Sequence, residues 1–188
     1  MNKIILSLIT ISLFIVGCKK EPINPFEIKK QNIGLLTDST TVKDLDAIFL
    51  NDSIVKFISG DEFTGSRNNI DVFEKGGKKL LTLVPSQSLD PLATIERIEI
   101  IDPRYKTEKN ISILSTFKDV STNYKISRIN NLINSVVITV NEINANFVID
   151  KEELPESIRY NMDLKIEVTH IPDTAKLKYF SLSWNNIK

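Results

Sequence analysis

The sequence predicts an α+β fold built from two diverged copies of one unit. Each unit runs lead strand, short helix, β-hairpin and closing strand, and the two pack as one domain with a mainly antiparallel sheet. Three observations predict this. The helix start "TFKDV" at Thr116–Val120 echoes "TVKDL" at Thr41–Leu45. A strand-like stretch stands ahead of each, "NIGLL" from Asn32 and "NISIL" from Asn110. After each helix come two alternating apolar runs joined by a polar turn, and then a further strand. The copies span residues 32–107 and 108–188. A unit of about 75 residues is at the size where a core of its own rarely suffices, so the copies are expected to share one.

The segment ahead of the domain reads as an export signal. Lys3 gives a basic start, Ile4 to Val16 is almost wholly apolar, and small residues lead to Cys18. Charge, apolar core and small-residue exit are the order of a secretory signal. As a helix at about 1.5 Å per residue, this run spans roughly 20 Å, short of a hydrocarbon core of about 30 Å. Ile15-Val16-Gly17-Cys18 places the single cysteine of the chain at the exit, where a lipobox has its acylated residue. Residues 1–17 are therefore expected to be removed and Cys18 to carry lipid. Stable anchoring needs more than one acyl chain, which a multiply acylated cysteine supplies. Lys19 to Gln31, "KKEPINPFEIKKQ", has two prolines and little periodicity and reads with Cys18 as a tether over residues 18–31, reaching at most about 45 Å. Residues 32–188 form the domain.

Within the domain each element has a local reason. Val42, Leu45, Ile48 and Phe49 form one apolar stripe, and Phe117, Val120 and Tyr124 form another. Thr41 with Asp44 and Thr116 with Asp119 fit a capping box, in which the threonine oxygen accepts from the third backbone N–H. Ile70–Phe73 and Leu80–Val84 flank Lys75-Gly76-Gly77-Lys78, and paired glycines supply the positive φ of a tight hairpin turn. Ser135–Val140 and Ala145–Ile149 flank a turn near Glu142–Asn144. The closing strands are Thr94–Asp102, offering Ile95, Ile98 and Ile100 or Ile101 to the core, and Leu177–Trp184. Leu164–Ile171 alternates and reads as one more half-buried strand, with His170 on the parity of Ile166 and Val168.

Taken in order, "GLLTDST" (Gly34–Thr40), "TIERIEIID", "STFKDV" (Ser115–Val120), the Leu154-Pro155 step and a last strand ending in Trp184 resemble the enterobacterial lipoproteins regulated by the envelope-stress sigma factor, a domain family of unknown function. The resemblance implies a protein anchored in the outer membrane, facing the periplasm, without known enzymatic activity. It carries no functional residue onto this chain beyond Cys18. Members of that family have two cysteines after the second helix; Ile126–Val140 has none, so their disulfide does not carry over. They also tend to have glycine where this chain has Lys125.

The residues offer little chemistry. With Cys18 lipidated and His170 the only histidine, there is no histidine–cysteine metal set, and no metal or other cofactor is expected. Asp61-Glu62 and Glu152-Glu153 are adjacent acids without the spacing of a calcium loop, and read as solvated charges. No G-x-S-x-G stretch offers a nucleophile, and Gly76-Gly77 leads into a strand rather than a helix, which excludes a phosphate cradle. The chain has 24 basic and 24 acidic residues; the leader holds one base, Lys3, and no acid, so the rest carries about −1, unlike a nucleic-acid binder. Among the loops, "DPRYKTEK" (Asp102–Lys109) joins the copies and presents Arg104 and Tyr105, residue types favoured as binding anchors, so these two are the candidate partner-binding residues. The expectation is a non-enzymatic envelope lipoprotein of the outer membrane, on its periplasmic face, held by Cys18 and binding an envelope protein or a glycan. The alternatives are a surface-displayed ligand- or glycan-binding lipoprotein, a hydrolase using scattered carboxylates, and an inhibitor or immunity protein.

Overall fold

The computed structural model describes residues 24–56 and 69–184. The leader, Cys18, Lys19-Lys20 and Asp61-Glu62 lie outside the described residues. The chain folds as α+β, with few and short helices on mainly antiparallel sheet, as the sequence predicts. In order, the strands are β1 (Glu27–Ile28), β2 (Asn32–Ile33), β3 (Leu36–Thr37), β4 (Ser53–Lys56), β5 (Ile70–Phe73), β6 (Lys79–Pro85), β7 (Ile95–Ile100), β8 (Lys106–Thr107), β9 (Arg128–Asn131), β10 (Ser135–Val140), β11 (Ala145–Asp150) and β12 (Leu177–Ser183). The helices are α1 (Leu45–Ile48), α2 (Phe117–Asn123) and α3 (Glu156–Arg159).

Eight strands form one antiparallel sheet in the order β4-β5-β6-β7-β12-β11-β10-β9. Each half of the chain thus contributes a four-stranded meander. The meanders meet through their last strands, with Arg97, Glu99 and Ile98 facing Ser183, Ser181 and Leu182. The helix starts repeat the same bonds in both halves. Val42 and Lys43 donate their N–H groups to the carbonyls of Ala93 and Pro91, at 3.0 Å each. Phe117 and Lys118 donate to those of Ala175 and Asp173, at 2.8 and 3.0 Å. Each helix N-terminus is thereby tied to the chain just ahead of its closing strand, and orphan helix N–H groups are satisfied. Counting on from Ala93 and Ala175, Glu99 and Ser181 hold corresponding places, and they face each other across the seam. Both closing strands also bulge at the same step. Val84 and Pro85 pair with Arg97 and Ile95, skipping Glu96, while Val148 and Ile149 pair with Tyr179 and Leu177, skipping Lys178.

One face of this sheet is apolar because its strands alternate. Val136, Ile138 and Val140 of β10, Ala145, Phe147 and Ile149 of β11, and Phe180 and Leu182 of β12 are all buried. Phe147 stacks on Phe180 with ring centroids 4.6 Å apart. The same core takes in Leu45, Phe117 and Val120 from the helices, Ile28, Ile33 and Leu36 from a second sheet, β3-β2-β1-β8, and Tyr105 just ahead of β8. Burial of this set supplies the main stabilising term, at about 25 cal/mol per Å² of apolar surface.

The structure corrects several expectations. The tether does not extend to Gln31: Glu27 and Ile28 pair in parallel with Lys106 and Thr107, and Ile28 is buried, so the packed domain begins within the stretch set aside as linker. Both lead stretches lose their role as single strands. The first is a small hairpin, β2 and β3, turning at Gly34 with φ 55°; the second, from Asn110, is not a strand. Leu164–Ile171 is not a strand either. Val168–His170 is a 3₁₀ turn, and Asn131 Nδ2 donates to the carbonyls of Asn161 and Leu164 instead of the stretch joining a ladder. At the helix starts, Asp119 N–H donates to Thr116 Oγ1 at 3.4 Å, but Asp44 N–H bonds the Thr41 carbonyl; both aspartates do accept from the threonine backbone N–H, at 3.0 Å for Asp44 and 2.7 Å for Asp119. Strands β4 and β9, short and half exposed, carry too little alternation to be read from sequence.

Gly34 combines positive φ with close backbone approach, since a Cβ there would overlap the Pro25 carbonyl oxygen. Gly34→Ala is expected to destabilise the chain by more than about 1 kcal/mol, the typical cost of leaving glycine's conformational region. Urea unfolding checks this, and a neutral result would show that the small sheet does not hold the domain together.

Candidate functional site

Arg104 and Tyr105 were the sequence-predicted binding residues, and the structure gives both an internal role. Asp102 sits at the end of β7 with a fully buried side chain. Arg104 donates from Nε to Asp102 Oδ1 at 3.0 Å, from Nη2 to Oδ2 at 2.9 Å and from Nη1 to Glu74 Oε1 at 2.7 Å. Lys78 adds a contact of 2.8 Å to Asp102 Oδ2. The guanidinium lies 4.5 Å from the Phe26 ring centre, and Phe26 meets Tyr105 edge-on at 5.0 Å. Tyr105 is only 3% exposed. This pair therefore ties the linker between the two halves and the N-terminal strand to the β5–β6 hairpin, and is not a free binding loop. Burial raises the Asp102 carboxyl, but the bonds from Arg104 and Lys78 outweigh it and hold the group far below the ordinary carboxylate range. Burial likewise raises the Tyr105 phenol.

Beside this network lies a small cavity of about 110 Å³ lined by Phe26, Leu36, Phe49, Asp52, Glu74 and Tyr105, among others. Burial and the nearby Glu74 charge raise the Asp52 carboxyl, while the Arg104 bond lowers that of Glu74. Two acids pushed apart are the pattern of an acid–base pair. Here the ionised member is already engaged by Arg104, and the cavity is well below the roughly 300–1,000 Å³ of ligand sites.

A larger cleft opens at the far end of the second half, about 510 Å³, lined by Ile133, Asn134, Asp150, Lys151, Glu152, Arg159, Tyr160, Met162 and Lys178. The elements that shape it are the end of β11, the 3₁₀ turn Lys151–Glu153, α3 and the bulge of β12. Asp150 caps the turn, its Oδ1 accepting from Glu152 N at 3.1 Å, and its Oδ2 takes Lys178 Nζ at 2.6 Å. The Lys178 bond, together with that backbone bond, lowers the Asp150 carboxyl. Arg159 Nη2 donates to the carbonyls of Glu152 and Leu154 at 2.9 and 3.0 Å, closing α3 back onto the turn. Lys151 is buried, and its Nζ meets Met162 Sδ at 3.1 Å. These residues were not singled out in the sequence, except Glu152-Glu153, read as solvated charges; Glu152 is indeed exposed and Glu153 Oε2 accepts from Lys176 N at 3.3 Å. The available signal was length: 151–176 separate β11 from β12, whereas 86–94 separate β6 from β7.

His170 lies apart from both cavities. Its Nδ1 accepts from Glu167 N at 3.1 Å and closes its own turn, which gives it a local structural role. Among the described residues no cluster of three metal-ligating side chains occurs, and no helix is long and apolar enough to cross a membrane.

The acid side of the stability curve tests the Asp102 clamp. A carboxyl held below its unfolded value stabilises the fold at neutral pH, and that stability is lost as pH falls below about 4. Arg104→Met is expected to cost about 2 kcal/mol at pH 7 and to flatten the acid limb, because Asp102 then titrates nearer its ordinary value. Urea unfolding at a series of pH values reads both, and an unchanged acid slope would refute the assignment.

No family model matches the chain, and neither does any curated protein. Among solved structures it is similar to the crystal structure of the uncharacterized protein yfeY from Escherichia coli, with 13% sequence identity and a TM-score of 0.53 over 84% of this chain and 99% of that chain. At that identity the likeness is one of fold: the α+β arrangement is shared with a protein whose own role is uncharacterized.

Proposed function

We propose that this chain is a lipid-anchored protein of the bacterial cell envelope, held in the outer membrane through Cys18 on the periplasmic face, and that it works by binding rather than by catalysis. The observation that carries the reading is the placement of the single cysteine, directly after Ile15-Val16-Gly17 at the end of an apolar run that follows a basic start. The resemblance to the envelope-stress-regulated lipoproteins points the same way. Lys19-Lys20-Glu21 beside the anchor is not strongly acidic, which favours retention on the periplasmic side over display at the surface.

The structure adds support for a binding role. Of the two acids of the small cavity, Glu74 is committed to Arg104, whereas the larger cleft offers polar groups on a shaped surface. Its volume falls in the range of ligand sites, and convergent polar groups in a concave site are what orient a ligand.

Expression of the Cys18→Ser variant with a labelled acyl donor tests the anchor. The native chain is expected to take the label and to shift to the processed size, and the variant to remain an unlabelled precursor. Normal processing of the variant would sink the anchor. Protease treatment of intact cells tests the address, and loss of the domain would favour surface display.

A further inference from the structure

The two halves of the large sheet match down to their bulges, but not in what connects their last two strands. The first half crosses by residues 86–94; the second takes 151–176, which carry α3 and wall the large cleft. The skipped bulge residue is Glu96 in the first half and Lys178 in the second, where it lines that cleft. A bulge re-aims a side chain, and bulges concentrate beside functional sites. Asn131 of β9 fastens the excursion by bonding the carbonyls of Asn161 and Leu164 at 3.1 and 3.0 Å.

The charges of this cleft do not close on themselves. Asp150 is engaged through both oxygens, by Lys178 and by the Glu152 N–H. Lys151 is only 4% exposed, and among the described residues its ammonium has no carboxylate partner; its one acceptor is the Met162 sulfur. A thioether is a weak acceptor. Arg159 bonds only carbonyl oxygens, and its Nε is buried without a partner. Buried cations are normally paired, because leaving one unpaired in the interior is costly. Three cations against two carboxylates, Asp150 and Glu152, leave one positive charge, which suits a monoanion better than a dianion. The rim is apolar and open: Ile133 and Tyr160 are each 77% exposed.

We propose that this cleft binds a monoanionic carboxylate carried on an apolar body. The carboxylate meets Lys151 and Arg159, and the body rests on Tyr160, Met162 and Ile133. The inference deepens the binding role proposed above, but its test does not depend on Cys18, so the two fail separately.

The test is an NMR titration of the full chain in non-ionic detergent with N-acetylphenylalanine, its neutral amide and phenyl phosphate. The acid is expected to give saturable shifts confined to residues 133–134, 150–152, 159–162 and 178, and the amide none. Lys151→Met and Arg159→Gln are each expected to weaken binding about tenfold, the worth of one charge-assisted hydrogen bond. Lys118→Met, at an exposed ion pair away from the cleft, is expected to leave it unchanged, and a folded amide spectrum guards each variant against misfolding. No saturable shift, equal shifts with the amide, or unaltered binding in both cleft variants would overturn the proposal. Tighter binding of phenyl phosphate would overturn the monoanion assignment.

Discussion

The β7–β12 ladder is the interaction on which the rest of this fold depends. Each half of the chain makes a four-stranded meander with one apolar face and two edges. Alone, each would leave one side of its closing strand as an unpaired row of N–H and C=O groups. Joined through Arg97–Ser183, Ile98–Leu182 and Glu99–Ser181, the halves remove both edges at once and make one continuous apolar surface. The edges left over are β4 and β9, which are four residues long and largely exposed. Short edge strands are a usual means of limiting sheet-to-sheet association.

The helices depend on that ladder in turn. α1 has four residues and α2 seven, too short to persist on propensity alone. The N–H groups of Val42 and Lys43, in the 3₁₀ turn that leads into α1, and the first N–H groups of α2 bond the carbonyls ahead of β7 and β12, so each helix start is fixed by a closing strand. Much of this was legible in the sequence. The T-x-K-D stretches mark real helix starts, and Gly76-Gly77 marks a real hairpin, with φ of 120° and 91°. The three buried isoleucines of β7 are among those the alternation selects. What sequence patterns could not show was long-range commitment. Phe26 and Ile28 look like linker residues because their partners, Tyr105 and Thr107, stand far along the chain. Tyr105 looks like a surface anchor for the same reason.

The cleft was illegible for a different cause. Its residues sit where the two halves of the chain differ, and a search for matching stretches discards whatever does not match. Leu164–Ile171 alternates well enough to be a strand, yet it joins no ladder: the edge strand β9 meets this excursion through the Asn131 side chain, which bonds the carbonyls of Asn161 and Leu164. Ile166 and Ile171 still reach the core, and the stretch is held by those two anchorages rather than by pairing. The matched parts of the two halves build the scaffold, and the unmatched part carries the feature most suited to recognition.

The early start of the packed domain has a mechanical consequence for an anchored protein. If Cys18 carries the anchor proposed above, five residues, 19–23, separate it from Asn24, a span of at most about 18 Å. A connection that short would hold the body within a thin layer over the bilayer and confine its search for partners to two dimensions. Confinement of that kind raises local concentration toward the millimolar range for anything sharing the layer, so even a weak ligand contact there would be occupied much of the time.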